Sequence, residues 1–131
     1  GAGYTIGLTD TDVPGGFEWE VKHELFDDVM WPAVANRVPK LESLKAMRSW
    51  SGHYAYNRLD GNTIIGPWVG GVQNYYIATG FSGAGLQKAP AIGRAIKELL
   101  LDGGYQTIDL TRMSYLRVLN NKPLVEQGFS A

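Results

Sequence analysis

At 131 residues the chain is one domain's worth by length, with 44% hydrophobic residues and a formal net charge of −1, a profile of a globular protein that points to neither a nucleic-acid partner nor an anionic membrane surface. It contains no cysteine, which excludes disulfides, thiol catalysis and cysteine metal sites, and its two histidines, His23 and His53, lack metal-ligand spacing. No apolar run approaches the ~18 residues of a membrane span, and the N-terminus lacks the layout of a secretory signal.

Tyr4 to Leu8 has β character and reads as a short strand; Thr9 to Gly16 is a turn-rich connector. From Phe17 to Arg37, Leu25, Phe26, Val29, Met30, Ala33 and Val34 recur at helical spacing, with Pro32 expected to kink or split the helix. Val38-Pro39 starts a second helical piece, and Trp31 reads as core. Lys45 to Asn57 alternates like a strand: Trp50, Gly52, Tyr54 and Tyr56 share one parity. Asp60-Gly61 is then a hairpin signal, Thr63 to Gly66 the returning strand, and Val72 to Ala78 a third, making residues 45–79 an antiparallel meander. Gly80, Gly83 and Gly85 follow within six residues. A helix is expected to open near Pro90, with Ile92, Ala95, Ile96, Leu99 and Leu100 on one face, Arg94, Lys97 and Glu98 largely on the other, and Asp102-Gly103-Gly104 as its stop. Tyr105 to Leu110 reads as extended. In the tail from Thr111 to Ala131, Met113, Tyr115, Leu116, Val118 and Leu119 are the docking candidates.

No nucleophile–base pair, zinc-protease motif, Walker loop or metal cluster stands out. The strand–glycine turn–helix unit does. Glycines open backbone conformations closed to other residues, and a helix N-terminus offers unpaired N–H groups to a negatively polarised ligand. GAGLQK at 83–88 lacks the third glycine of a dinucleotide fingerprint and follows a meander, so it does not read as a pyrophosphate loop. A flat heterocycle against the backbone fits better, while a plain connection with no ligand accounts for the spacing equally well.

The segments WSGHY (50–54), DGNTIIGP (60–67) and NYYIATGFSGAGLQK (74–88), in that order, resemble the C-terminal part of the D-amino-acid oxidase-like FAD-dependent oxidoreductases, which include glycine oxidase and sarcosine oxidase. The match is best to the FAD-dependent oxidoreductase domain-containing members. Helix 89–103, the tail stretch 107–117 and, more weakly, 26–45 extend it over nearly the whole chain.

The resemblance implies an α+β fold: an antiparallel or mixed sheet with packed helices, comprising part of a substrate domain (4–79), a flavin-contacting turn and helix (80–103) and a tail (104–131). It implies hydride transfer from a small amine or amino acid to FAD. Gly80, Phe81, Ser82, Gly83, Ala84, Gly85, Leu86 and Gln87 would lie at the flavin ring, with His53 nearby and Tyr54 and Gln87 toward the substrate. In sarcosine oxidases the position matching His53 is a cysteine joined to the flavin, which this chain cannot reproduce. Those enzymes also carry a histidine at Ala84 and a carboxylate-binding lysine at Gln87. The GxGxxG half is absent here, so FAD affinity of the isolated chain is expected to be weak or absent. The expected partner is the missing FAD-binding portion or another copy of the chain, as a homo-oligomer. A non-catalytic interaction or assembly module that kept the fold is the alternative. Cytoplasm in a bacterium or mitochondrion in a eukaryote would be the compartment.

Overall fold

The computed structural model describes residues 3–10 and 15–125; the connector residues 11–14 and the end of the tail, 126–131, lie outside them. The chain divides between His53 and Tyr54 into two compact units.

In the first unit the chain is helical from residue 24 to 37. Pro32 neither ends nor splits this stretch. It occupies the first turn of α1 (Trp31–Arg37), inside a helical stretch that is already running, so the donor it lacks is missing from the ladder there. The turns just ahead of it, Phe26–Met30, widen into a π-helical segment, with the Trp31 N–H donating to the Phe26 carbonyl. The second helical piece is only a 3₁₀ turn, Pro39–Leu41. Trp31 Nε1 donates to the Glu42 carbonyl at 2.9 Å and ties that turn to the helix; its ring is half-buried rather than core. Residues 4–8 form no strand. Phe17, Met47 and Trp50 remain 90%, 86% and 73% exposed.

The expected strand across 45–57 is absent. Alternation of side chains becomes a strand only when a neighbour closes the ladder, and no described segment pairs with this one. The sheet is therefore two-stranded. β1 (Ile64–Pro67) pairs antiparallel with β2 (Tyr76–Thr79), Ile65 opposite Ala78 and Gly66 opposite Ile77. The hairpin loop is 68–75, closed by the Trp68 N–H on the Tyr75 carbonyl at 2.8 Å. Asp60-Gly61 forms a turn without being a hairpin: Gly61, at φ +68°, donates to the Asn57 carbonyl at 2.8 Å. Architecture is α+β, with a smaller sheet than the meander reading implied.

Helix α2 (Gly85–Leu101) starts a turn and a half before the expected opening, so Pro90 lies inside it. α2 packs on β1, and the core is Ile64, Ile65 and Ala95. Asp102 caps α2 and Gly103 follows at φ +73°, the left-handed stop expected of glycine. Glu98 is not on the solvent face: it is 4% exposed and accepts from the N–H groups of Gln106 and Thr107 at 2.8 and 3.1 Å and from the Thr107 hydroxyl. Residues 105–110 are consequently bent around a carboxylate rather than extended. The tail continues as a 3₁₀ turn (Thr111–Met113) and the single turn α3 (Leu116–Leu119). Leu116 and Leu119 stay half or more exposed, and the buried residue of α3 is Arg117.

Candidate functional site

Between β2 and α2 the chain passes through three left-handed residues, Gly80 (φ +68°), Ser82 (φ +48°) and Gly83 (φ +88°). Two of the three are glycine, which takes this region without steric cost. The Ala84 N–H donates to the Phe81 carbonyl at 2.9 Å, closing the turn, and the Ser82 N–H reaches the Ala55 carbonyl at 3.2 Å. Ala84 is the N-cap of α2 and makes no side-chain cap hydrogen bond. The first-turn N–H groups of Gly85, Leu86 and Gln87 have no carbonyl within the helix to meet. Gly83, Leu86 and Gln87 are exposed, Leu86 to 89%.

Of the sequence-predicted residues, Tyr54 and Gly80–Gln87 come together. A side chain added at Gly83 would stand 3.0–3.1 Å from the Tyr54 ring, so that ring lies on the glycine backbone. Tyr54 and Tyr56 are exposed at 55% and 63%, not buried sheet aromatics. His53 belongs to the first unit, where its ring meets Trp19 edge-on at 4.2 Å; beside them Ser51 Oγ donates to the Trp19 carbonyl at 2.7 Å.

Beneath the turn lies a buried polar network that motif reading missed. Arg117 grips Asp60 with both arms, Nε to Oδ2 at 2.9 Å and Nη2 to Oδ1 at 3.1 Å, side chains 7% and 3% exposed. Its remaining donors reach the carbonyls of Met113, Asn62 and Thr63 at 2.8, 3.0 and 3.2 Å. Asp60 also accepts from Asn57 Nδ2 and the Leu124 N–H, both at 2.8 Å, and from the Asn62 N–H at 3.0 Å. Asn57 Nδ2 bonds the Asn62 carbonyl at 2.8 Å. The network touches the turn directly: the Asn57 N–H donates to Ser82 Oγ at 3.3 Å, and Ser82 Oγ donates to the Gly80 carbonyl at 3.3 Å. Asp60 showed in the sequence as a turn residue, and nothing in its spacing pointed to an arginine 57 positions on.

Burial pushes the Asp60 carboxyl up, but the Arg117 hydrogen bond, the N–H groups of Leu124 and Asn62 and the Arg117 charge together outweigh it and hold it below its ordinary 3.8. The Thr107 hydroxyl and Gln106 N–H likewise hold Glu98 down. A lowered folded pKa means that the unfolded chain takes up the proton first as pH falls. The stabilisation is therefore complete above the ordinary carboxylate range and is lost as pH drops through the lowered value. The melting temperature is expected to fall steeply below about pH 4, and Asp60→Asn to flatten that fall; parallel curves for the two proteins would refute the assignment to Asp60.

The turn offers a flavin ring the uncapped amides of Gly85, Leu86 and Gln87, which suit the electron-rich edge of a flat heterocycle, while the spaces left by the missing side chains of Gly83 and Gly85 are taken by the Tyr54 ring and the Phe81 side chain. A groove of about 490 Å³ elsewhere on the unit, lined by Ile64, Trp68, Tyr75, Ile77, Thr79 and Tyr115, contains none of the turn residues. Among the described residues there is no metal-ligand cluster and no helix long and apolar enough to cross a membrane.

Residues 1–99 match the family model "DAO: FAD dependent oxidoreductase". The chain is 43% identical over 132 residues to FAD-dependent oxidoreductase domain-containing protein 1 of Xenopus laevis, covering 98% of this chain and 26% of that protein. The Bos taurus protein of the same name is 45% identical over 109 residues, 83% of this chain and 22% of its own length. The Drosophila melanogaster homolog is 44% identical over 97 residues, 72% and 18% respectively. The chain thus spans about a quarter or less of these relatives. No solved structure matches it.

Proposed function

The chain belongs to the DAO family of FAD-dependent oxidoreductases, and from that premise we propose that its turn Gly80–Gln87 forms the flavin-ring contact of an enzyme oxidising a small amine or amino acid. The observation that carries this reading is the left-handed glycine turn, exposed at Gly83, Leu86 and Gln87, running into an uncapped helix N-terminus. Two-electron redox chemistry is what FAD supplies when bound. The chain's share is positioning and electrostatics. The N–H groups of Gly85, Leu86 and Gln87 favour negative polarisation at the pyrimidine edge. Gln87 offers an uncharged amide donor to a substrate carboxylate, and Tyr54 flanks the turn on the substrate side.

The reading requires a second body that carries the pyrophosphate-binding glycine motif, which these 131 residues lack. The apolar side chains left in water, Leu86 among them, are the surface such a body would cover. Purified alone, the 131 residues are expected to be colourless and to bind added FAD weakly. At full natural length the protein is expected to be yellow, and Gln87→Glu, which sets a like charge against the pyrimidine edge, is expected to weaken FAD several-fold to about tenfold in a fluorescence titration. FAD affinity indifferent to Gln87→Glu would remove the turn from the flavin site.

A further inference from the structure

The tail and the turn are far apart in sequence and share one hydrogen-bonded network. Asn57 is the junction. Its side chain is fixed by Asp60, by the Asn62 carbonyl and, through Oδ1, by the Leu59 N–H at 3.1 Å. On the turn side its N–H holds Ser82 Oγ, and its Cβ lies where a side chain on Gly80 would come within 3.1 Å. The Asn62 carbonyl, held by both Asn57 and Arg117, is the next neighbour of Gly80 at 3.6 Å from the same point. Loop 57–63 is therefore the floor on which the left-handed turn rests. Within the described residues, its carboxylate is neutralised by one guanidinium.

We propose that Arg117 is a positioning residue for the turn: by gripping Asp60 it locks Asn57 and Asn62 in place, and these set the path of Gly80–Ser82 and hence the direction of the amides that follow. The purpose given to those amides rests on the flavin reading above. A bidentate fork is essential to this role. A lysine at 117 keeps the charge but supplies a single point donor, so Asp60, Asn62 and Thr63 cannot all be held at once.

The test uses the protein at full natural length with FAD, comparing wild type with Arg117→Lys. Amide hydrogen exchange is read over residues 80–88, together with FAD affinity and the flavin reduction potential. Lys97→Met, which breaks only the exposed pair Lys97–Asp102, serves as control. Arg117→Lys is expected to remain folded, to raise exchange in the turn by about tenfold or more, and to weaken FAD about tenfold to a hundredfold, with a changed potential. The control moves none of these. If Arg117→Lys fails to fold, Asp60→Asn, isosteric but with one oxygen replaced by an NH2 donor so that it keeps only one of the two backbone hydrogens Asp60 accepts, replaces it with the same expectations. A folded variant whose turn exchanges at the wild-type rate overturns the proposal, since a part that merely stabilises the fold lowers the melting point and leaves the turn unchanged. Raised exchange in the turn combined with FAD affinity that neither Arg117→Lys nor Gln87→Glu alters supports the clamp and refutes the flavin reading, so the two failures are separable.

Discussion

Replacing Arg117 by alanine is expected to cost the second unit about 3–5 kcal/mol, the range for removing one partner of a buried ion pair. The size follows from what is left behind. Asp60 would keep its charge in a site where its side chain is 3% exposed, and the carbonyls of Met113, Asn62 and Thr63 would each lose a donor. Water that enters recovers part of this, which sets the lower end. The contrast lies within the same molecule. Lys97 and Asp102 also pair at 2.9 Å, but their side chains are 56% and 38% exposed, and breaking that pair is expected to cost under about 1 kcal/mol. Urea unfolding followed by circular dichroism measures both. A loss below about 1 kcal/mol for Arg117→Ala would show that the pair is solvated like a surface one.

Gly80→Ala carries the second large effect, about 2–5 kcal/mol. Part is backbone: at φ +68° an L-residue is strained by about 1–2 kcal/mol. The rest is collision. The new methyl would meet the Asn57 Cβ at 3.1 Å, and Asn57, 9% exposed and bonded on both side-chain polar atoms, has nowhere to retreat; overpacking of this kind costs about 1–3 kcal/mol. Gly83→Ala tests the reasoning. Its methyl meets the Tyr54 ring at 3.0 Å, but that ring is 55% exposed and can swing aside, leaving the backbone strain of about 1–2 kcal/mol. Equal losses at the two glycines, in the same urea experiment, would mean that Asn57 is not held as rigidly as its hydrogen bonds imply.

What the sequence disclosed follows how local each feature is. The glycines of the turn and the stop at Gly103 are written in neighbouring residues, and each appears in the structure, whereas the apolar face of α2 appears only in part: Ala95 is buried, Leu100 is 56% exposed, and Glu98 takes a buried place. Proline marks a helix boundary only as a tendency: α2 begins at Gly85 and carries Pro90 in its second turn. Residues 45–57 alternate as a strand does, yet alternation encodes an extended chain and cannot supply the neighbour that makes a sheet. Glu98 reads as a charge on the solvent face of α2, and nothing local to Arg117 marks its place. Their burial depends on partners that only the tertiary fold brings to them, the amides of Gln106 and Thr107 and the carboxylate of Asp60. The glycine turn was thus legible as a candidate site, and the floor beneath it was not.

The clamp also sets an order of events during synthesis. Asp60, Asn57 and the whole glycine turn leave the ribosome before Arg117, and the Leu124 amide that completes the coordination of Asp60 comes last, 64 residues after the carboxylate it binds. Until then the nascent chain holds an uncompensated acid where the fold needs a closed network. The turn therefore cannot take its final form until Arg117 and Leu124 have emerged, although every one of its own residues is made well before them.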